Sequence, residues 1–276
     1  MRYSAGWPIV TCFAGRLKMN STRFTGRTVV ITGGAGGLGS AIASASAEQG
    51  ASVGILDTNQ VAIDELVSKL RDSGFTATGR VLDVRDSLAV KSAIDEIAVT
   101  LGRIDILITA AGGSLGTPRD LDEISDDDLD LVLDVNVKGT FYCVRAAIPH
   151  MKKVGGGAIV TFSSIGGRSP SPVTGIPYAA SKAAILGLTR RLAKEVAQDN
   201  IRVNAIAPGL FLTDRLLGMF EAMAPADQRE VIDGIPLGRI PKISECVNPV
   251  LFLASDEASY ITGTVLDVNG GRFMAS

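Results

Sequence analysis

The 276-residue chain has few cysteines, histidines and aromatic residues, and each shortage excludes a kind of site. Its three cysteines are far apart and show no Cys-x-x-Cys spacing, which argues against a disulfide framework or a zinc site and favours a cytoplasmic location. The only histidine, His150, excludes the His-Glu-x-x-His metalloprotease pattern, and its place at a predicted helix end suits a structural role. Aromatic residues make up 5% of the chain, too few for a platform on which single-stranded nucleic acid would stack.

Acidic and basic residues are nearly balanced, with 29 Asp and Glu against 27 Lys and Arg. The net charge of −2 gives no electrostatic reason to expect nucleic acid or an anionic membrane surface as a partner. The uncharged stretch Thr28–Ala47 is long enough to span a membrane, but its five glycines argue against a spanning helix. We therefore expect no nucleic-acid partner and no membrane association.

One acidic run, Asp126–Asp128, suggests a cation site at first sight. These residues follow Ser125, a typical helix N-cap, and negative charge in a first helical turn suits the helix dipole. The spacing of the acidic residues does not match an EF-hand loop. We therefore expect a capped helix start here and no bound metal.

The first residues of the chain differ from the rest. Arg2 precedes a short apolar run, Trp7–Ala14, which resembles a secretory signal but lacks a clear cleavage pattern. Met19 is an alternative start. We therefore divide the chain into an N-terminal extension, residues 1–24, that is either not native or loosely ordered, and a single domain, residues 25–276.

Short apolar, β-branched runs alternate with amphipathic stretches, which predicts β–α units and a parallel sheet. Strands are predicted at Thr28–Thr32, Ser52–Leu56, Thr76–Leu82, Ile104–Ala110, Ala158–Ser163, Arg202–Ala207 and Val265–Val268. Helices are predicted at Gly37–Gln49, Gln60–Asp72, Ser87–Leu101, Asp126–Met151, Pro177–Gln198 and Ser244–Leu253. Two stretches interrupt this alternation, Ser163–Pro177 and Leu210–Gly238. Both leave the carboxyl edge of the sheet, where ligands bind in open α/β folds, and the second is expected to be a lid.

A glycine-rich turn, Gly33–Gly39, joins the first predicted strand directly to a helix. Glycines let the backbone approach a pyrophosphate closely, and the free N–H groups of the helix N-terminus bind its charge. Asp57 ends the second strand, eighteen positions after Gly39, where a carboxylate can bind the ribose 2′-hydroxyl and would repel a 2′-phosphate. No lysine or arginine occupies position 58 or the glycine turn, so we predict NAD rather than NADP.

A second motif, Tyr178-Ala179-Ala180-Ser181-Lys182, places a phenol and an ammonium one helical turn apart on the same face. A nearby cation favours the phenolate and lowers the tyrosine pKa from about 10 toward the range in which an acid–base catalyst works. Such a pair occurs by chance in many proteins. The glycine turn upstream, and a serine at position 163 or 164, strengthen the catalytic interpretation.

Together these motifs resemble the short-chain dehydrogenase/reductase family in its common single-domain form, over nearly all of residues 25–273. The family's glycine motif, Thr-Gly-x-x-x-Gly-x-Gly, is matched by Thr32, Gly33, Gly37 and Gly39, with Leu38 between the last two. The resemblance implies a doubly wound Rossmann fold of class α/β, with a seven-stranded parallel sheet and helices on both faces. It also implies that residues 25–276 are one NAD-binding catalytic domain and that the protein is a homodimer or homotetramer.

The same resemblance implies roles for four side chains. Tyr178 is the acid–base group at the substrate oxygen, and Lys182 holds the nicotinamide ribose and lowers the tyrosine pKa. The family usually uses the second of two such serines to polarise the substrate oxygen, which selects Ser164 over Ser163. Asn136 matches the asparagine that joins a proton relay through water to the lysine, with a helix-interior amide bonded to backbone as the alternative.

Further cofactor contacts follow from the resemblance. Asp83 and Val84 match the pair that contacts adenine. The segment Pro208, Gly209 and Thr213 matches a Pro-Gly-x-x-x-Thr pattern around the nicotinamide and its carboxamide. The chain departs from the family at Thr109-Ala110-Ala111-Gly112, where Asn-Asn-Ala-Gly is usual. Loss of the second asparagine, where this chain has Ala110, removes side-chain hydrogen bonds that brace the central sheet, whereas Gly112 keeps the close backbone approach to the cofactor.

These residues predict reversible hydride transfer between NAD and a small-molecule secondary alcohol or ketone, without a metal. The apolar residues of the Leu210–Gly238 lid favour an apolar or cyclic substrate. A 3-oxoacyl thioester reductase is an alternative, although such enzymes generally use NADP. A non-catalytic NAD sensor on the same fold typically lacks the tyrosine or lysine. A serine hydrolase would need a Gly-x-Ser-x-Gly elbow, and this chain has none around Ser163.

Overall fold

Seven parallel strands form the centre of the computed structural model, which describes residues 22–170 and 174–275. The strands are β1 (Thr28–Thr32), β2 (Ser52–Asp57), β3 (Ala77–Val81), β4 (Ile106–Thr109), β5 (Gly157–Phe162), β6 (Ile201–Pro208) and β7 (Val265–Val268). Their order in the sheet is β3-β2-β1-β4-β5-β6-β7, so the direction of winding reverses between β1 and β4. Ligands bind at such a reversal, beyond the carboxyl ends of the strands. The predicted doubly wound fold is confirmed.

The strands form because their residues are apolar on both faces. In β1 every residue is buried, and alternate side chains enter the two cores on opposite sides of the sheet. Val29 and Ile31 pack in one core, whereas Val30 packs in the other. A parallel sheet covered on both faces requires such continuous apolar runs.

Nine α-helices are resolved in the described part of the chain. They are α1 (Gly37–Glu48), α2 (Gln60–Asp72), α3 (Ser87–Leu101), α4 (Asp126–Leu133), α5 (Thr140–Lys153), α6 (Ile176–Val196), α7 (Asp214–Glu221), α8 (Pro225–Asp233) and α9 (Ser244–Ala254). Most predicted ends agree within two residues. The helix predicted at Asp126–Met151 is instead divided into α4 and α5 by a π-helical turn, Asp134–Gly139. The stretch predicted as a lid contains α7 and α8.

Two local predictions are confirmed. Ser125 Oγ accepts a hydrogen bond from Asp128 N, and the Asp128 carboxylate accepts one from Ser125 N, so the acidic run is the capped first turn of α4. His150 lies in the last turn of α5, where its Nε2 atom is 2.7 Å from Asp95 Oδ1 on α3. This contact joins two neighbouring helices, which is a structural role.

The folded domain begins before the predicted boundary at residue 25. Phe24 is fully buried in the core, and Arg23 forms an ion pair with Glu257 at 2.8 Å, so both belong to the domain rather than to the extension. Residues 1–21 of the predicted extension lie outside the described residues. None of the described helices is long and apolar enough to cross a membrane.

Candidate active site

A cleft with a volume of about 860 Å³ lies at the carboxyl ends of the central strands. The predicted site residues that line it are Gly33, Gly37, Leu38, Gly39, Asp57, Asp83, Val84, Gly112, Ser164, Tyr178, Lys182, Pro208, Gly209 and Thr213. The one predicted site residue that does not line it is Asn136, which bonds to Gly113 in the cleft wall. Residues more than a hundred positions apart in the chain are thus brought to one site.

The glycine turn between β1 and α1 packs so closely that side chains do not fit. Gly33 has a φ of +63°, and a Cβ atom there would lie 2.8 Å from the Ala111 backbone. A Cβ on Gly39 would lie 2.0 Å from the Gly33 carbonyl oxygen. The turn therefore presents bare backbone to the cleft, followed at once by the N-terminus of α1, and this arrangement suits a pyrophosphate.

Asp57 is half-buried at the end of β2, beside the glycine turn. Its Oδ2 atom accepts a hydrogen bond from Ala35 N at 3.1 Å, and its Oδ1 atom accepts one from Asn59 N at 3.2 Å. These two bonds fix the carboxylate in the cleft wall. The side chain thus both supports the glycine turn and places a negative charge where an adenosine ribose would lie.

The segment after β3 contributes a charged pair. The Asp83 carboxylate accepts hydrogen bonds from the Arg85 backbone N at 2.9 Å and from Arg85 Nη2 at 2.6 Å. The hydrogen-bonded guanidinium holds the Asp83 pKa below its usual value. Val84 is buried against Gly139 of the π-helical turn. Arg85 also lines the cleft, and the motifs did not point to it.

Tyr178 and Lys182 lie in the first two turns of α6 and share its cleft-facing side. Lys182 is 5% exposed, and its Nζ atom donates a hydrogen bond to the Phe162 carbonyl at 2.9 Å. The same atom lies 5.7 Å from the centre of the Tyr178 ring. Burial lowers the Lys182 pKa to about 8. A cation near a phenol favours the phenolate, so this geometry suits proton transfer at Tyr178.

The two serines after β5 have different partners. Ser163 Oγ donates its hydrogen bond to the Lys182 carbonyl at 2.8 Å. A hydroxyl has one proton to donate, so Ser163 is committed to holding α6 in place. Ser164 Oγ instead accepts a hydrogen bond from Gly166 N at 3.1 Å and lines the cleft. Of the two candidates, Ser164 is therefore the better donor to a substrate oxygen.

Asn136 is buried in the π-helical turn, and its amide is fully engaged. Its Nδ2 atom donates to the Gly113 carbonyl at 3.1 Å and to Ser181 Oγ at 2.8 Å, and its Oδ1 atom accepts from Gly113 N at 3.0 Å. Its side chain thus braces the wall of the cleft, as the alternative interpretation expects. A water relay from Asn136 to Lys182 stays a prediction.

The departure from the usual Asn-Asn-Ala-Gly pattern leaves one polar atom without a partner. Thr109 Oγ1 is buried and has no hydrogen-bonding partner among the described residues. The end of β4 is braced instead by Thr32, whose carbonyl accepts from Ala110 N at 3.1 Å and whose Oγ1 accepts from Ala111 N at 3.3 Å. Gly112, with a φ of +139°, has no room for a side chain, because a Cβ there would lie 2.4 Å from Asn136 Oδ1.

The segment after β6 closes the other side of the cleft. Gly209 N donates to the Val268 carbonyl at 2.8 Å, which fixes the Pro208–Gly209 segment to β7. The methyl carbon of Thr213 would lie 3.1 Å from a Cβ on Gly37, so Thr213 covers the glycine turn. Of the apolar residues in the predicted lid, Phe211 and Leu216 line the cleft, although Phe211 is only 3% exposed.

Known proteins are similar to this chain in sequence and in fold. A family model described as Enoyl-(Acyl carrier protein) reductase matches residues 33–272. The 3-oxoacyl-[acyl-carrier-protein] reductase FabG of Thermotoga maritima is 38% identical over 251 residues, which cover 90% of this chain and 98% of that protein.

Two solved structures are similar over nearly their whole length. A 3-oxoacyl-[acyl-carrier protein] reductase from Brucella melitensis with bound NAD has a TM-score of 0.84 and 34% identity, covering 100% of this chain and 99% of that one. A 7α-hydroxysteroid dehydrogenase complexed with NADH and 7-oxo glycochenodeoxycholic acid has a TM-score of 0.85 and 32% identity, covering 93% and 98%. These similarities confirm the prediction of an oxidoreductase that acts on a secondary alcohol or ketone. The chain belongs to the short-chain dehydrogenase/reductase family.

Proposed function

We propose that this protein is an NAD-dependent dehydrogenase or reductase that transfers hydride between nicotinamide and an apolar or cyclic secondary alcohol or ketone. The observation that carries the proposal is the meeting of Ser164, Tyr178 and buried Lys182 in the same cleft as the glycine turn and Asp57. Asp57 ends β2 and Ser164 follows β5, three strands away in the sheet. At about 4.8 Å per strand this separation is roughly 14 Å, which suits an extended dinucleotide.

The residues around Tyr178 would manage the proton. Bound NAD would supply the hydride chemistry itself. In oxidation Tyr178 would take the proton of the substrate hydroxyl, and in reduction it would return a proton to the ketone oxygen. Ser164 would donate a hydrogen bond to the same oxygen. Lys182 would favour the phenolate electrostatically, and the Phe162 carbonyl keeps its Nζ atom in place.

The preference for NAD rests on the charge of Asp57. Its carboxylate is held by two backbone N–H groups, so it cannot easily turn away from a 2′-phosphate. Arg85 lines the same cleft and is the cation that a phosphate would need, but its guanidinium is bonded to Asp83. The local charge therefore favours a 2′-hydroxyl.

The substrate class follows from the apolar residues that line the cleft. Among them are Leu115, Leu131, Val135, Phe211 and Leu216. Such a lining suits an apolar or cyclic carbonyl compound, as in the hydroxysteroid dehydrogenase noted above. A 3-oxoacyl thioester reductase is the second candidate, since the Thermotoga and Brucella relatives carry that name. The Brucella protein was solved with NAD, so cofactor preference alone does not separate the two candidates.

We also propose a cytoplasmic homodimer or homotetramer. Large apolar side chains are exposed on and near α4 and α5, among them Leu121, Leu129 and Phe141, which suits burial against a second copy. Cys143 and Cys246 are free and buried, in keeping with a reducing compartment. Sedimentation of the purified protein tests the assembly, and a monomer at micromolar concentration would contradict it.

The function is tested by nicotinamide absorbance with a panel of secondary alcohols, cyclic ketones and short 3-oxoacyl thioesters. NAD and NADP are compared in parallel, and Tyr178→Phe is the matched control. We expect turnover with NAD that the control loses. Turnover chiefly of the thioesters favours the second candidate, and a preference for NADP refutes the role of Asp57. Tight NAD binding without turnover of any substrate would favour a sensor.

A further inference from the structure

An ion pair outside the predicted motifs joins the turn after β5 to the last strand. Arg168 Nε lies 3.0 Å from Asp267 Oδ1, and the two side chains are 17% and 21% exposed. Among the ion pairs of the described residues, this is the one in which both side chains are less than a quarter exposed. Neither facing atom forms a hydrogen bond among the described residues, to the other or to a third group, so their contact is one of charge alone. Removing one member of such a pair leaves a largely buried, uncompensated charge. At the surface, water would solvate the remaining charge and the loss would matter little.

Arg168 is also held by the end of the chain. Its guanidinium carbon lies 4.9 Å from the centre of the Phe273 ring, a cation–π contact. Asn269 fixes the Phe273 backbone, because its Oδ1 atom accepts from Phe273 N at 3.3 Å and its Nδ2 atom donates to the Phe273 carbonyl at 3.1 Å. Phe273, after β7, therefore packs against the Arg168 guanidinium and is itself held by Asn269.

Asn269 also packs against the wall of the cleft on its cofactor side. A Cβ on Gly209 would lie 3.0 Å from the Asn269 backbone, so Asn269 packs directly against the Pro208–Gly209 segment. That segment is further bonded to β7 through Gly209 N and the Val268 carbonyl at 2.8 Å. Arg168 is thus connected, through Asp267 and its neighbours, to the wall around the nicotinamide position.

On the other side, Arg168 ends the short turn that carries Ser164. Arg168 N donates to the Ile165 carbonyl at 3.0 Å, and Gly167 N donates to the Ser164 carbonyl at 3.0 Å. Ser164 Oγ accepts from Gly166 N within the same turn. Gly167 packs on the Lys182 backbone, where a Cβ would lie 2.5 Å from the carbonyl carbon. A displacement of Arg168 would therefore move Ser164 relative to α6.

We propose that Arg168 and Asp267 are positioning residues of the active site, whose ion pair ties the turn carrying Ser164 to the last strand and to the Pro208–Gly209 segment. Neither side chain needs to touch the substrate. The pair keeps the serine hydroxyl and the nicotinamide cradle in one fixed arrangement, so that the substrate oxygen meets Ser164 and Tyr178 together. This inference rests on the proposed function for its catalytic consequence, but the tie itself can be measured without turnover.

The tie is tested by trypsin, because Arg168 is itself a cleavage site. With Asp267→Asn the guanidinium loses its partner, and we expect the Arg168–Ser169 bond to be cut about fivefold faster than in the wild type. Fragments are followed by mass spectrometry. Glu257→Gln, which breaks the Arg23 ion pair away from the cleft, is the matched control and should be cut at the wild-type rate. Equal cleavage of Asp267→Asn and the control would overturn the proposal.

The catalytic consequence is tested by kinetics on the same variants. We expect Asp267→Asn to lower kcat about tenfold while the Kd for NADH, followed by fluorescence, changes less than about threefold. Asp267→Glu, which keeps the charge, should recover most of kcat, and it also serves if the asparagine variant does not fold. An unchanged kcat, or an equal loss in Glu257→Gln, refutes positioning. If the wild type shows no turnover that depends on Tyr178, the proposed function is refuted instead. The rate of trypsin cleavage then tests the link between Arg168 and Asp267 by itself.

Discussion

At the scale of single residues, Lys182 is a buried ammonium group whose burial opposes its charge. It lies near the start of α6, and its Nζ atom donates a hydrogen bond to the Phe162 carbonyl. Burial lowers its pKa from the ordinary value of 10.5 to about 8. In the proposed mechanism such a group would assist proton transfer at Tyr178 at the expense of the stability of the fold, a frequent property of active sites.

The first prediction is that Lys182→Met makes the cofactor-free protein more stable at pH 7. The folded state loses the lysine proton near pH 8 and the unfolded chain near pH 10.5, so the charged lysine disfavours folding below pH 8. The shift corresponds to about 3 kcal/mol, and the lost hydrogen bond to Phe162 costs about 1 kcal/mol. We expect a net gain of roughly 1–2 kcal/mol in the free energy of unfolding.

This gain is measured by urea unfolding at pH 7 and at a pH near 10. The advantage of Lys182→Met should shrink at the higher pH, because the wild-type lysine is then neutral in the folded state and its burial no longer opposes folding as strongly. The variant should also lose turnover. A methionine variant less stable than the wild type at pH 7 would contradict the assigned cost of burial.

The second prediction concerns Asp57 and the choice of cofactor. In Asp57→Asn the amide oxygen can still accept from Ala35 N, but the negative charge that repels a 2′-phosphate is gone. The charge-assisted hydrogen bond from the ribose 2′-hydroxyl of NAD to the carboxylate is also lost. We therefore expect the ratio of kcat/KM for NAD over NADP to fall by about one order of magnitude. Asp64→Asn, on the exposed face of α2, is the control that should leave the ratio unchanged. A ratio equally unchanged in Asp57→Asn would refute the role of this carboxylate.

At the scale of elements, the β1–α1 turn is the part of the site with the least room for change. The third prediction is that Gly39→Ala impairs cofactor binding, because its Cβ would lie 2.0 Å from the Gly33 carbonyl oxygen and the turn must move. Overpacking of this kind costs about 1–3 kcal/mol, so the Kd for NADH should rise by about 10-fold to 100-fold. Isothermal titration measures this change.

Gly187→Ala is the matched control for that measurement. Gly187 lies in α6, and an alanine methyl at this position would meet no neighbouring group within 4 Å, so it fits without strain. The control should bind NADH as the wild type does and fold at least as stably, because alanine favours a helix more than glycine. If Gly39→Ala binds NADH as tightly as Gly187→Ala, the turn is not the pyrophosphate site.

Elements with a strong local pattern could be predicted from the sequence, and elements set by tertiary contacts could not. The strands β1 and β7 and the helices α2 and α3 lie at their predicted bounds, because apolar runs and caps such as Asp86 define them locally. The π-helical turn at Asp134–Gly139 has no local signal. It follows from the fit of Asn136 against Gly113 and Ser181, which are distant in sequence.

At the scale of the whole molecule, the predicted site residues other than Asn136 converge because they stand beyond the carboxyl ends of the parallel strands, in the turns there or near the starts of the helices that follow. Position along the chain is enough to place such residues at one edge of the sheet. Their partners are harder to predict. Arg85 and Arg168 act through contacts with Asp83 and Asp267, and a lone arginine after a strand gives no signal in a single sequence.

The domain boundary is the other feature that pattern reasoning misplaced, and the fourth prediction tests it. Phe24 is the last residue of the predicted N-terminal extension, yet its side chain is fully buried and its N–H donates to the Gln49 carbonyl at 2.9 Å. Phe24→Ala should therefore lower the free energy of unfolding by about 3–5 kcal/mol, as expected for a core phenylalanine. Tyr260→Ala, whose ring is fully exposed, should change it by less than about 0.5 kcal/mol. Equal effects in chemical unfolding would place Phe24 outside the core, and would return the start of the domain to residue 25.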